Sequence, residues 1–259
     1  GMTEAFPALV RQDDARYAIT VGPDLAVGPP GHAYLFGGAS MALALDVAAE
    51  TVGRPVVQGS LQFVSFTPLG SVLDLTVEVL QSGRTLAQAR VAGTVDGRLV
   101  FHSGISLGMR EGFSARQWAL APPVPQPDNC PPCTTLPAQD DNARYLEGIE
   151  VREAGGPEVP SGRTRLWLRR KDGAPLDAAS LAMFADFLPI ALGRATGCSG
   201  GGNSLDNSLR ITGAAAPGWC LCDMIIPSSA SGFAQGQVTL WDQSGRLLAT
   251  GAQSLLLKG

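Results

Sequence analysis

Three short patterns in this sequence have the spacing of reactive sites. Gly197-Cys198-Ser199-Gly200-Gly201 fits the G-x-S-x-G of a serine nucleophile. That chemistry needs a strand before the turn and a helix after it, whereas here the expected order is helix, loop, strand. The two histidines, His32 and His102, both precede Ser199, so a triad with its histidine downstream of the serine is impossible. Cys130-Pro131-Pro132-Cys133, with Cys220 and Cys222, offers four thiolates at zinc-like spacing. Cys220 and Cys222, however, share one strand face and read as small core residues, and proline-linked cysteines in a linker need no partner, so no metal site is assigned. The glycine-rich run 197–202 lacks the Lys-Ser/Thr that a phosphate-binding loop requires.

Two other residues remain. Asp186 stands among Leu181, Met183, Phe184, Phe187, Leu188 and Ile190. A helix there draws the carboxylate toward an apolar centre, where an unpaired charge is expensive. Gln253 is the long polar side chain on a strand face otherwise made of Leu247, Ala249, Gly251, Leu255 and Leu257.

The elements that must position these two residues occur twice. Ala39-Ser40-Met41-Ala42-Leu43-Ala44-Leu45-Asp46-Val47 and the later Gly97-Arg98-Leu99-Val100-Phe101 are echoed, in the same order, by Ala179-Ser180-Leu181-Ala182-Met183-Phe184-Ala185-Asp186-Phe187 and Gly245-Arg246-Leu247-Leu248-Ala249. The internal repeat indicates an architecture of two like units. Asp46 is the counterpart of Asp186, and Ile105 that of Gln253. The aspartates stand 140 positions apart and the strand positions 148, so eight residues are added between them in the second copy, and the glycine loop is the expected place.

Residues 34–52 read as a helix apolar nearly all round, hence buried, with Gly37 and Gly38 at its start. Period-two runs at 60–66, 72–80, 84–94 and 98–107 are separated by turn residues, so they predict antiparallel strands. In the second copy, 144–153 and 163–170 read as strands, Asp177 as the N-cap of a helix running to about Leu192 and bent in its last turn by Pro189, and 204–211, 219–226, 233–241 and 246–257 as strands. The proline-rich stretch between the copies reads as a linker. The expected division is an N-terminal repeat over 2–110, a linker over 111–142 and a C-terminal repeat over 143–259. The fold class is α+β: two tandem repeats, each a buried helix wrapped by an antiparallel β-sheet.

Of the 259 residues 45% are hydrophobic and 16% charged, ample for a packed core. A net charge of −4 and an isoelectric point near 5.2 argue against nucleic acid as a partner. Arg169-Arg170-Lys171, the densest basic cluster, reads as a solvated hairpin end. No apolar run approaches the roughly 18 residues of a membrane span, no secretory signal is evident, and five cysteines without one suggest reduced thiols. A soluble, cytoplasmic protein is expected. Gly1 before Met2 reads as a remnant of tag removal.

Phe36-Gly37-Gly38 opening a buried helix resembles the first repeat of acyl-CoA thioesterase II, a double hot-dog protein. Ala185-Asp186-Phe187-Leu188-Pro189-Ile190-Ala191-Leu192, then Ser204-Leu205-Asp206-Asn207-Ser208, then Gln253 resemble its second repeat. The resemblance covers nearly the whole chain from about Tyr34. It implies a double hot-dog fold and hydrolysis of acyl-CoA or a related acyl thioester, with Asp186, Ser204 and Gln253 holding the attacking water. In chemical terms, a carboxylate takes the proton as water attacks the carbonyl, while a hydroxyl and an amide fix that water. No cofactor is required. Gly37 and Gly38 are the expected substrate contacts, because amides at a helix N-terminus can meet the carbonyl oxygen as it gains charge.

The sequence also departs from the family. An Asp-His pair is usual just after the hydroxyl position, and here Asp206 is followed by Asn207; a glutamine common near Val95 is apolar. Asp46 lacks both partners and reads as a relic or a structural group. The alternatives are a non-catalytic acyl-CoA or lipid-binding module and, third, an enoyl-thioester hydratase, whose Asp-His pair has no match near the second helix. Chain length of the acyl group, CoA against a carrier-protein thioester, and oligomeric state are left open, a homo-oligomer being compatible with the sequence.

Overall fold

A helix with apolar side chains on every face has to be enclosed, and the antiparallel strands that follow each helix do the enclosing. A computed structural model describes residues 5–155, 160–198 and 202–258. The first half contains β1 (Val10–Arg11), β2 (Arg16–Thr20), β3 (Ala26–Val27), β4 (Tyr34–Leu35), α1 (Gly37–Val52), β5 (Val56–Phe63), β6 (Val72–Ser82), β7 (Leu86–Val95) and β8 (Arg98–Gly108). The second contains β9 (Ile149–Glu153), β10 (Arg163–Arg170), α2 (Ala178–Ala185), α3 (Leu188–Thr196), β11 (Gly202–Ser204), β12 (Asp206–Ile211), β13 (Cys220–Ala230), β14 (Phe233–Asp242) and β15 (Leu247–Leu257).

All but β3 and β4 join one antiparallel sheet in the order β1-β2-β6-β7-β8-β5-β12-β15-β14-β13-β10-β9, with β11 also pairing β15. The order reads the same from either end once each strand is replaced by its counterpart, so a pseudo-two-fold passes between β5 and β12. Those two strands pair from Asp206↔Gln62 to Arg210↔Gln58 and fuse the halves into one sheet. α1 packs against α2 where Gly38 lets the backbones meet: a Cβ there would lie 2.8 Å from the Met183 Cα. This is the α+β arrangement of two wrapped helices, the double hot-dog. The core is shared, with Met41, Leu43 and Leu45 of α1 in one cluster with Leu181, Phe184 and Phe187 of the second half.

Several local expectations change. Residues 34–36 are extended rather than helical, because Leu35 and Phe36 give their amides to Thr67 and Leu25. The second helix is two helices, interrupted at Asp186–Phe187. The extra residues of the second copy are divided: α3 runs four residues past Leu192, the position matching the end of α1, and the rest fall between Thr196 and Gly202, where residues 199–201, the serine of G-x-S-x-G included, are outside the described residues. Across its break, Ala178–Thr196 has the length and mean hydropathy, 1.3, of a membrane span, yet 67% of its most apolar window is buried in the fold. Arg170 is no solvated hairpin end: its side chain is 12% exposed and donates to Ser180 at the start of α2 and to Asp172.

Residues 109–126 carry neither helix nor strand, but the stretch between the halves is tied down. Gln117 bonds Gly245 and Leu247, the Trp167 indole donates to Pro125, and Gln139 and Asp140 accept from the amides of Gly28 and Gly31. All five cysteines are free, Cys220 and Cys222 being buried on β13.

Candidate active site

Pro189 has no N–H for the carbonyl of Ala185, and its ring crowds the turn before it. α2 therefore stops at Ala185, with Asp186 as its C-cap, and Pro189 falls in the first turn of α3, where no N–H is needed. The break lies earlier than a bend in the last turn, and it releases Asp186 from the helical path. Its side chain, 6% exposed, reaches across the pseudo-two-fold to the N-terminus of α1. That helix has no side-chain cap of its own at Phe36; the carboxylate from the other half takes that place, and the Gly38 amide helps to hold its pKa down. A Cβ on Gly37 would lie 2.6 Å from Asp186 Oδ2 and 3.0 Å from the Phe63 ring. Glycine is what lets the carboxylate come in.

Ser204 reaches the same point because its strand carries a bulge. Ser204 pairs with Leu255 and Ser208 with Ala252, so the segment Leu205–Asp206 holds one residue more than β15 opposite it. Without that residue, alternation would put Ser204 and the buried Asn207 on opposite faces; with it, both face inward. The first copy has the same irregularity, between Val56↔Leu107 and Gln58↔Ser106, which makes Val56 the counterpart of Ser204. The outer face keeps a matching polar network in both copies. Ser106 joins Gln58 and Gln88, and Ser254 joins Asp206 and Gln235.

The three polar side chains converge. Gln253 Nε2 donates to Asp186 Oδ1 at 2.5 Å, and Ser204 Oγ lies 2.8 Å from Gln253 Oε1 and 3.4 Å from Asp186 Oδ1. Since the amide nitrogen serves Asp186, the Ser204 hydroxyl donates to the amide oxygen, leaving its lone pairs free. Burial pushes Asp186 up to about 7, opposed by Gln253, the Gly38 amide and Ser204. In the first copy, Val56 and Ile105 hold the positions of Ser204 and Gln253, and the matching Asp46 has no hydrogen-bond partner among the described residues. Burial and the nearby Asp177 push it up to about 8.

A cavity of about 620 Å³ opens in front of this group, with Asp186, Ser204 and Gly37 on one wall. Gln253 is behind that wall and does not line it. The other walls are largely apolar, with Phe63, Phe101 and Phe187 among them and Pro137, Ala138 and Gln139 at the rim. Neither histidine lines the cavity. The sequence pattern did not single out Phe63 or the rim residues; Phe63 is one more apolar residue at the end of a strand, and residues 137–139 carry no periodic signal.

Two family profiles match the chain, an acyl-CoA thioesterase N-terminal domain over residues 28–108 and an acyl-CoA thioesterase C-terminal domain over residues 127–257. No curated protein matches the sequence. Among solved structures, one from Novosphingobium aromaticivorans DSM 12444, ascribed to the thioesterases, is 99% identical with a TM-score of 0.97, over 98% of this chain and 100% of that one. A TesB protein of Mycobacterium avium subsp. paratuberculosis is 23% identical, TM-score 0.82, over 99% of this chain and 98% of its own. The acyl-CoA thioesterase II TesB2 of Mycobacterium marinum is 21% identical, TM-score 0.79, over 100% and 98%. Matched through both halves of its paired sheet, the chain belongs to the acyl-CoA thioesterase family and is a thioester hydrolase.

Proposed function

We propose that the protein hydrolyses acyl-CoA, or a closely related acyl thioester, at a single site between its halves, by direct attack of water. Asp186 is the general base. Its Oδ2, on the Gly37 side, takes a proton from the water as the oxygen adds to the thioester carbonyl, and returns it to the departing thiolate when the tetrahedral intermediate collapses. A carboxylate whose pKa sits about 7 is ionised often enough at neutral pH to accept that proton and basic enough to hold it. Ser204, its own hydrogen committed to Gln253, accepts a hydrogen bond from the water. Gln253 is a positioning residue that sets carboxylate and hydroxyl together. The exposed amide at the start of α1, Gly37, is the donor for the carbonyl oxygen as it gains charge, and the acyl group lies along the Phe63, Phe101 and Phe187 side of the cavity.

The observation that carries this reading is the Asp186–Gln253–Ser204 triangle at the wall of an apolar cavity, present in one copy and replaced by Asp46, Ile105 and Val56 in the other. The test is thiol release from a panel of acyl-CoAs by the wild type and by Asp186→Asn. Turnover abolished by the substitution supports it. Equal turnover by both proteins removes Asp186 from its role, and tight acyl-CoA binding without any thiol release points to the binding module instead.

A further inference from the structure

Gln253 did not replace its counterpart alone. In the first copy, Leu45, Gly59 and Ile105 pack as a triangle beneath α1: Gly59 pairs with Ile105 across the ladder, and a Cβ on Gly59 would meet Leu45 Cδ2 at 2.8 Å and Ile105 Cγ1 at 3.5 Å. The Leu45 methyl fills the space that a side chain at 59 would need. The matching positions in the second copy are Ala185, Asn207 and Gln253. The register through Ser208↔Ala252 puts Asn207 opposite Gln253, and all three border one small void with Met41 and Leu188. Shortening leucine to alanine makes the room that the asparagine occupies, so the helix and both strands changed together to set two amides side by side.

Asn207 is 5% exposed, and its Nδ2 is fully buried without a hydrogen-bond partner among the described residues. A buried donor left so is destabilising, and no water-sized space exists in the void to relieve it. Two side-chain acceptors border that void. Ser208, next to Asn207 on the strand, turns its hydroxyl to the opposite face, where it accepts from Arg210, whereas Gln253 Oε1 accepts, among the described residues, from Ser204 alone and keeps a lone pair.

On the basis of the hydrolase reading above, we propose that Asn207 is a positioning residue for the reaction, acting through Gln253. Its amide favours the carboxamide orientation in which oxygen faces Ser204 and Asn207 and nitrogen faces Asp186. In the turned-over orientation, the Gln253 oxygen would face Asp186, accept the proton of the neutral acid and hold the base in its protonated form. Asn207 thus gives up some stability to keep Asp186 ready to ionise.

The experiment compares Asn207→Leu and Asn207→Ala with wild type and Asp186→Asn by thiol release across pH and by thermal unfolding. Asn207→Leu is expected to keep or raise Tm, since a buried unpaired amide is gone. It should lower kcat by up to about tenfold as more of Gln253 takes the turned-over orientation, leave KM near wild type, and move the acid limb of the kcat/KM profile upward. Asn207→Ala removes the amide without adding bulk or charge and should move that limb the same way, which keeps the test alive if the leucine variant does not fold. Wild-type kcat and pH profile in the folded variants overturns the proposal, as does a parallel fall in Tm and kcat without movement of the limb. If wild type and Asp186→Asn release thiol alike, it is the hydrolase reading that fails.

Discussion

The Gln253 amide nitrogen stands 2.5 Å from Asp186 Oδ1, and its oxygen 2.8 Å from the Ser204 hydroxyl. One carboxamide therefore dictates where the carboxylate points and which way the serine hydrogen is turned. Neither Asp186 nor Ser204 is fixed by its own element, since one follows a broken helix and the other precedes a bulge.

The pH dependence of activity and of stability should both report Asp186. Its folded pKa is raised from 3.8 to about 7, chiefly by burial. On the proposed mechanism the ionised form of Asp186, dominant above that value, is the active one, so kcat/KM is expected to climb with pH through about 7. For stability the sign is opposite. Between the usual carboxylate range and about 7 the folded protein holds a proton that the unfolded chain has released, so stability falls as pH rises across that window and then levels. Asp186→Asn should therefore raise Tm at pH 8 relative to wild type, by less at pH 5, while lowering kcat by about 10²-fold or more. Calorimetry at the two pH values checks the sign.

Gln253→Ile installs the side chain of the first copy. Asp186 then loses its closest donor and Ser204 its acceptor, so the acid limb should move above 7 and kcat fall about 10- to 100-fold. Tm should fall modestly, because the isoleucine would meet Ala185 and Asn207 where Ile105 meets Leu45 and Gly59, and Asp186 and Ser204 lose their shared amide. A pH-rate profile beside a melting curve separates the two effects.

The two glycines of α1 should respond differently. Gly37→Ala places a methyl 2.6 Å from Asp186 Oδ2, so it should abolish most activity with a modest loss of Tm. Gly38→Ala drives its methyl against Met183 Cα at 2.8 Å, between two helices that cannot move apart freely, and should cost about 1–3 kcal/mol of stability. Denaturant titration of both proteins gives the comparison.

Gln139 and Asp140 tie the stretch between the halves to the loop of Gly28 and Gly31 at the cavity rim. Replacing both by alanine should raise KM several-fold with kcat nearly kept, since no group in front of the carbonyl moves. Faster proteolytic cutting within 137–142 would accompany the change.

Much of the fold was legible because it depends on order along the chain. Alternation marked the long strands of both copies, and their turn residues marked them as antiparallel. β1 and β2 escaped because a two-residue and a five-residue strand carry too few alternations to register. Asp186 and Gln253 stood out as polar groups at apolar positions, and the repeat supplied Asp46 and Ile105 for contrast. Ser204 did not stand out by pattern. Regular alternation over 204–211 sets it on the face opposite Asn207, and only the resemblance to a known family nominated it.

The sequence by itself determined that two buried helices are each wrapped by antiparallel strands, and that the second copy carries polar groups where the first is apolar. These are properties of composition and period, present in any conformation of the chain. Tertiary structure alone decided that one extra residue in a strand turns Ser204 inward, that the helix breaks at Asp186, and that the carboxylate caps a helix from the other half. Each depends on a surface distant in sequence: β15 opposite the bulge, the packed turn that Pro189 crowds, and the bare N-terminus of α1 beside Gly37.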